Sequence, residues 1–189
     1  MNKYAIIFKN WFAYAGIITL LCGIVYITVQ QNYRLSANDP QLQIAEDAAN
    51  AINKGADPKS LIGSTPAIEI SQSLSPYLII YDASGNIVAG SATLNGQPLK
   101  IPKGVIDYIQ KNGKDAATWQ PQTGVRQAMV GFSTANKAYI TVAGRSLRNT
   151  EERIVLLGEQ VIFGWAMSLL GMFVVAFLQE WITKRIAQA

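Results

Sequence analysis

The chain has 189 residues, half of them hydrophobic and 15% charged, with a formal charge of +4, one cysteine and no histidine. The missing histidine removes Ser-His-Asp and Cys-His nucleophilic sites, histidine-ligated zinc and a phospho-accepting histidine of the chain's own. The single thiol, Cys22, allows no internal disulfide, and the scattered basic residues lack the clustered face that nucleic acid requires.

Residues 4–29 form an apolar run longer than the roughly 20 residues a helix needs to cross about 30 Å of hydrocarbon. No small-x-small cleavage site ends it, so it reads as an uncleaved signal anchor. Trp11 and Tyr14 suit its inner interface, and Ala15, Thr19 and Gly23 form a stripe that lets another helix approach closely. Asn38-Asp39-Pro40 then starts a helix whose Leu42, Ala45, Ala49 and Ile52 share one face and which Gly55 stops. A loop with Pro58, Gly63 and Pro66 follows. Residues 77–82 read as a strand, Asp82-Ala83-Ser84-Gly85-Asn86 as a hairpin turn, and residues 87–92 as the returning strand. Asn95-Gly96-Gln97-Pro98 and Ile101-Pro102 make an ordered connector into a short helix over 103–111. Strands are predicted over 125–133 and 137–144, with a shorter one over 118–120. From Ser146 a charged helical run leads into a second apolar span, 154–178, where Gly164, Ser168 and Gly171 offer another small-residue face.

The two stripes point to helix pairing, between the spans or between subunits. Lys3 and Lys9 lie near one end of the chain, and Lys184 and Arg185 near the other. Such residues beside a crossing tend to stay cytoplasmic. The expected layout is therefore a two-pass protein of the plasma (inner) membrane. Residues 1–3 and 179–189 lie inside, 4–29 and 154–178 cross the bilayer, and 30–153 form one extracytoplasmic domain. Its class is α+β, a single antiparallel sheet with helices against one face.

Several motifs carry a resemblance: Tyr81-Asp82-Ala83-Ser84-Gly85-Asn86, Thr118-Trp119-Gln120-Pro121, Gly124-Val125-Arg126 and Gly144-Arg145-Ser146-Leu147-Arg148. Together with the element order, they resemble the PAS-like or single-Cache-like sensor domains of bacterial membrane receptors, as in sensor histidine kinases and chemoreceptors. The resemblance implies a PAS-like antiparallel sheet with flanking helices and a ligand pocket between the sheet and its covering layer. Trp181-Ile182-Thr183-Lys184-Arg185-Ile186 resembles the opening of a HAMP linker. No kinase or methyl-accepting region follows, so the expectation is that a separate partner reads the signal, the alternatives being a sensor relic or a truncated form.

In that pocket Tyr81 and Trp119 are candidate lining residues, and Arg126 a candidate fork for the carboxylate or phosphate of an anionic small molecule. The competing reading makes the two rings core aromatics and pairs Arg126 with an acidic neighbour. Gly144, Arg145 and Arg148 are candidates for coupling the domain to the membrane. For the arginines the alternatives are lipid headgroups, Glu151 or Glu152, and closure of the pocket. Asp82 reads as a turn residue rather than a metal ligand, and no metal site or cofactor is expected. Asp82, Asp107 and Asp115 are too dispersed for paired-carboxylate catalysis, so no enzyme is expected. The leading expectation is a ligand-sensing module acting through a membrane protein partner or a homodimer. The alternative is a structural or assembly subunit of a membrane complex, with the domain as a protein-binding surface.

Overall fold

The computed structural model describes residues 3–63 and 66–187. The chain divides into two compact units, Arg34–Glu151 and the pair Met1–Tyr33 with Glu152–Ala189.

The first unit begins in the last turn of helix α1 (Lys3–Ser36) and contains α2 (Asp39–Asn53), β1 (Ile68–Glu69), β2 (Tyr77–Asp82), β3 (Ile87–Gly90), β4 (Ala92–Leu94), β5 (Gln97–Pro98), α3 (Lys103–Asn112), β6 (Lys114–Gln122), β7 (Val125–Ser133) and β8 (Tyr139–Ser146). Helix α4 (Arg148–Ala187) follows directly. The main sheet is antiparallel throughout, with the order β3-β2-β8-β7-β6. The last strand in sequence, β8, is thus central, and β6 lies at an edge. The fold is α+β, an antiparallel sheet flanked by helices.

Both faces of the sheet are covered, and by different means. Period-two alternation sends Leu78 and Ile80 of β2, and Thr141 and Ala143 of β8, towards α2. That helix presents Ala45, Ala48 and Ile52, and the two small side chains let its backbone come close. The buried Thr141 hydroxyl reaches the Ala45 carbonyl at 2.8 Å. Tyr77, Ile79 and Tyr81 point the other way, with Met129, Ile140 and Val142. They meet Ile106 and Ile109 of α3 and Ile70, Ala92, Leu99 and Ile101 of the intervening chain. The expectation of helices on one face is therefore corrected: α2 takes one face and α3 the other.

Three local differences from the sequence reading have physical causes. The strand read over 87–92 breaks at Ser91, whose side chain accepts the Leu78 N–H and bonds back to the Leu78 carbonyl. Beyond the break, β4 joins a separate three-stranded sheet, β1-β4-β5. Asn95 and Gly96 form its tight turn, both with positive φ (52° and 74°), so the connector is a hairpin. The strand read over 118–120 extends over all of Lys114–Gln122, held by pairing with β7 from Lys114↔Phe132 to Trp119↔Gln127.

In the second unit the helices touch along a stripe repeating every three or four residues. Trp11, Ala15, Ile18, Cys22 and Tyr26 on α1 are partly buried, as are Val161, Trp165, Leu169 and Met172 on α4, with Ala176 buried. Both helices are long and apolar enough to cross a membrane. Their remaining apolar side chains are exposed, Phe12 at 68% and Phe163 at 69%.

Candidate functional site

Of the three residues placed together by sequence, the structure keeps Tyr81 and Trp119 on one face of the sheet and separates Arg126 from them. Tyr81 is buried, and its hydroxyl accepts the Ile101 N–H at 3.2 Å. Burial pushes its phenol up to about 12, and the Ile101 bond offsets part of that rise. Trp119 lies opposite Gln127 in the β6–β7 ladder and packs on the same core face as Tyr81. Arg126 precedes Gln127 by one residue, so its side chain leaves on the opposite face. There it forms an exposed ion pair with Glu151 in the first turn of α4.

Trp119 also borders an open cleft of about 690 Å³ with Leu94, Pro98, Leu99, Lys100 and Pro121. Lys100 is the sole cation among the described residues lining it.

A second region, which sequence reasoning missed, lies where residues 70–76 cover the starts of β2 and β7. Tyr77 pairs with Gly144 across the β2–β8 ladder. Its phenol ring lies across the glycine, and a Cβ built on Gly144 would fall on the ring. Gly144 therefore serves as the cradle for Tyr77. Gln127 is a diagonal neighbour of Gly144 through the pairs Met129↔Gly144 and Gln127↔Ser146. Its Nε2 donates to the Ile70 carbonyl at 3.5 Å. Among the described residues, Tyr77 Oη and Gln127 Oε1 are buried and without a hydrogen-bond partner, as is Gln41 Oε1 on α2. Desolvation, with Tyr81 nearby, pushes the Tyr77 phenol well above its ordinary value, so it stays protonated. The missed signal is one of phase. Gln127 occupies an inward position between Val125 and Met129, where a polar side chain is unexpected.

The covering segment is held at both ends. Glu69 accepts the Ser71 hydroxyl at 2.8 Å and the Gly96 N–H at 3.1 Å. These bonds, the Ser71 hydroxyl first, hold its carboxyl down at about 2. Arg145 Nε donates to the Leu74 carbonyl at 2.9 Å and Arg148 to the Gln72 carbonyl at 3.1 Å. Two of the three residues read as domain-to-membrane couplers thus grip this segment from the β8–α4 junction. The Leu147 N–H bonds the Arg126 carbonyl at 2.9 Å, fastening the same junction to β7.

Asp82 accepts the backbone N–H groups of Ser84 and Asn86 and the Asn86 side chain, which lower its pKa and close the turn. In the helix pair, Trp165 Nε1 donates to Thr19 Oγ1 at 2.9 Å and Trp11 Nε1 to the Leu169 carbonyl at 3.0 Å. Thr19 and Gly23 line an apolar groove of about 440 Å³ with Tyr26, Gly158, Val161 and Trp165, and Ala15 lies in the seam. Gly164, Ser168 and Gly171 lie outside the α1 seam and are exposed.

No family model matches the sequence, and no curated protein matches it. Among solved structures the chain is similar to a Cache chemosensory domain described for carboxylic acid recognition. That match has a TM-score of 0.41 and 12% identity, over 62% of this chain and 97% of the other. It is also similar to a methyl-accepting chemotaxis protein from Vibrio parahaemolyticus, with a TM-score of 0.40 and 12% identity over 66% and 98% of the two chains.

Proposed function

We propose that this protein is a two-pass inner-membrane sensor whose 34–151 unit binds a small molecule outside the cytoplasm, without catalysis, and reports it to a partner protein. The observation that carries this reading is the grip of Arg145 and Arg148 on residues 72–74. The segment covering one sheet face is thereby bonded to the end of β8 and to the first turn of the exit helix. A ligand beneath it that favours a different position of the segment shifts those guanidinium contacts, and with them the start of α4. The size of the response is bounded by the ligand's differential affinity for the two positions. The exposed apolar girth of both helices and the basic residues near both chain ends support membrane insertion with cytoplasmic termini.

The test is a metabolite screen on the full chain in lipid nanodiscs, read as thermal stabilisation and as hydrogen exchange at residues 70–76. A compound that raises the unfolding midpoint should also change exchange at Gln72–Leu74. A broad library without a stabilising compound refutes the proposal.

One observation favours a second reading, an assembly subunit. A Cβ built on Gly164 or Gly171 meets no atom within 4 Å, and the intervening Ser168 hydroxyl turns back to the Gly164 carbonyl. This smooth face suits close approach of another helix. A stoichiometric membrane partner lost on Gly164→Leu, but retained when Arg145 and Arg148 are replaced, supports that reading over the first.

A further inference from the structure

Buried polar atoms in folded proteins are almost always paired, so two partnerless oxygens on one patch of sheet call for a reason. Tyr77 is 2% exposed and Gln127 is fully buried. Tyr77's ring reaches over Gly144, and diagonal neighbours in a ladder lie about 7–8 Å apart, so one small molecule seated beneath a displaced 70–76 segment reaches both side chains. Their chemistry differs. Gln127 Oε1 only accepts, whereas the Tyr77 hydroxyl donates or accepts.

We infer that the covered face between Tyr77 and Gln127 binds an uncharged molecule of the carboxamide type, its N–H donating to Gln127 Oε1 and its carbonyl accepting from the Tyr77 hydroxyl. The inference rests on the ligand-binding reading above and names the ligand class for it. A carboxylate fits badly on two counts. It places a negative oxygen against the Gln127 carbonyl oxygen, and it finds no buried counter-charge. Among the described residues, the buried polar side chains are Gln41, Gln127, Thr134, Thr141 and the phenols of Tyr77 and Tyr81, all neutral. Burying an ion without a partner is far more costly than burying an amide whose hydrogen bonds are met. Arg145 follows Gly144 by one residue and so leaves on the opposite face, where its Nε donates to the Leu74 carbonyl, and Arg148 reaches the Gln72 carbonyl from an exposed position. The anionic ligand expected from Arg126 is not matched here, because Arg126 lies on the other face with Glu151.

The experiment compares matched probes, propionamide with propionate and benzamide with benzoate, on the full chain in lipid nanodiscs. Thermal midpoints are read for the native chain and for Tyr77→Phe and Gln127→Met. The amides should raise the native midpoint and the carboxylates should not, with each substitution weakening the amide response about tenfold. Without probe, Tyr77→Phe should leave the midpoint unchanged or raise it, because it removes a hydroxyl that had no partner. A lower probe-free midpoint for Tyr77→Phe means the hydroxyl was already satisfied and overturns the inference, as does the absence of any amide shift. A carboxylate shift retained by both variants also overturns it, while leaving the ligand-binding reading of the domain in place.

Discussion

A single methyl group at Gly144 tests how tightly the Tyr77 ring is packed onto the sheet. Built on the existing backbone, the Cβ of a Gly144→Ala variant falls on the Tyr77 phenol, with Tyr77 Cε2 2.9 Å away and Cζ and Oη closer still. Ordinary carbon contacts lie near 3.5–4.0 Å, so the ring must retreat by about 1 Å. It has little freedom to do so. Tyr77 is fixed opposite Gly144 by the ladder, its ring is rigid, and Ile70, Met129 and Val142 belong to the same packed cluster. Overpacking of this kind costs about 1–3 kcal/mol. A cost of about 2 kcal/mol lowers the midpoint of a domain this size by about 6–10 °C. The assay is thermal unfolding of the full chain in detergent, followed by near-ultraviolet circular dichroism. Tyr77→Leu is destabilising alone because it leaves a cavity. In combination, the new methyl and the lost ring should compensate, so that the double variant is more stable than the sum of the singles by about 1 kcal/mol or more. Strict additivity, or an unchanged midpoint for Gly144→Ala, refutes the cradle.

Gly131→Ala makes a contrasting case. Its Cβ meets the flexible tip of Ile109, so the midpoint should fall less than for Gly144→Ala, with Ile109→Val restoring part of the loss. Thr141→Val keeps the shape but removes the buried bond to the Ala45 carbonyl. Chemical denaturation should show a loss of about 1–2 kcal/mol. Glu69 has its carboxyl lowered from 4.5 to about 2 by folding, so its contribution is complete above pH 4.5 and is lost as pH falls through about 2. Exchange protection at residues 70–76 and 95–96 should decline across that window, and Glu69→Gln should flatten the decline. Arg145→Gln should raise exchange at Leu74 and its neighbours while leaving the α2 face protected, because its guanidinium bonds the Leu74 carbonyl of the covering segment.

Elements with local chemistry were legible in the sequence. The Asp82–Asn86 turn has its carboxylate and glycine within five residues, and α2 has its proline start and its inward alanines and isoleucine. Elements whose cause is distant were not. Lys114-Asp115-Ala116-Ala117 has no strand preference of its own and is extended because β7 lies beside it. The Asn95-Gly96 turn carried a strong hairpin signal, but the flanking strands are only three and two residues long and show no alternation to frame it. At the site, Trp119 and Arg126 were grouped with Tyr81 because the resemblance implies one pocket beneath the covering layer. Counting phase along β7 sets Arg126 apart, since it alternates with Val125 and Gln127. The orphaned oxygens of Tyr77 and Gln127 are visible only in three dimensions, because strand pairing and the cover over it decide which polar atoms go unmatched.

The central position of β8 sets how mechanical load passes into the domain. The strand runs almost without interruption into α4, with Ser146 Oγ accepting the Arg148 N–H at the join. A strand at the margin of a sheet peels away one bond after another. β8 has β2 on one side and β7 on the other, so tension along it loads both ladders in shear, and many bonds must yield together. Load arriving at this join is therefore shared by two ladders at once, and the strap at 70–76 is tied to the same join by two guanidinium groups.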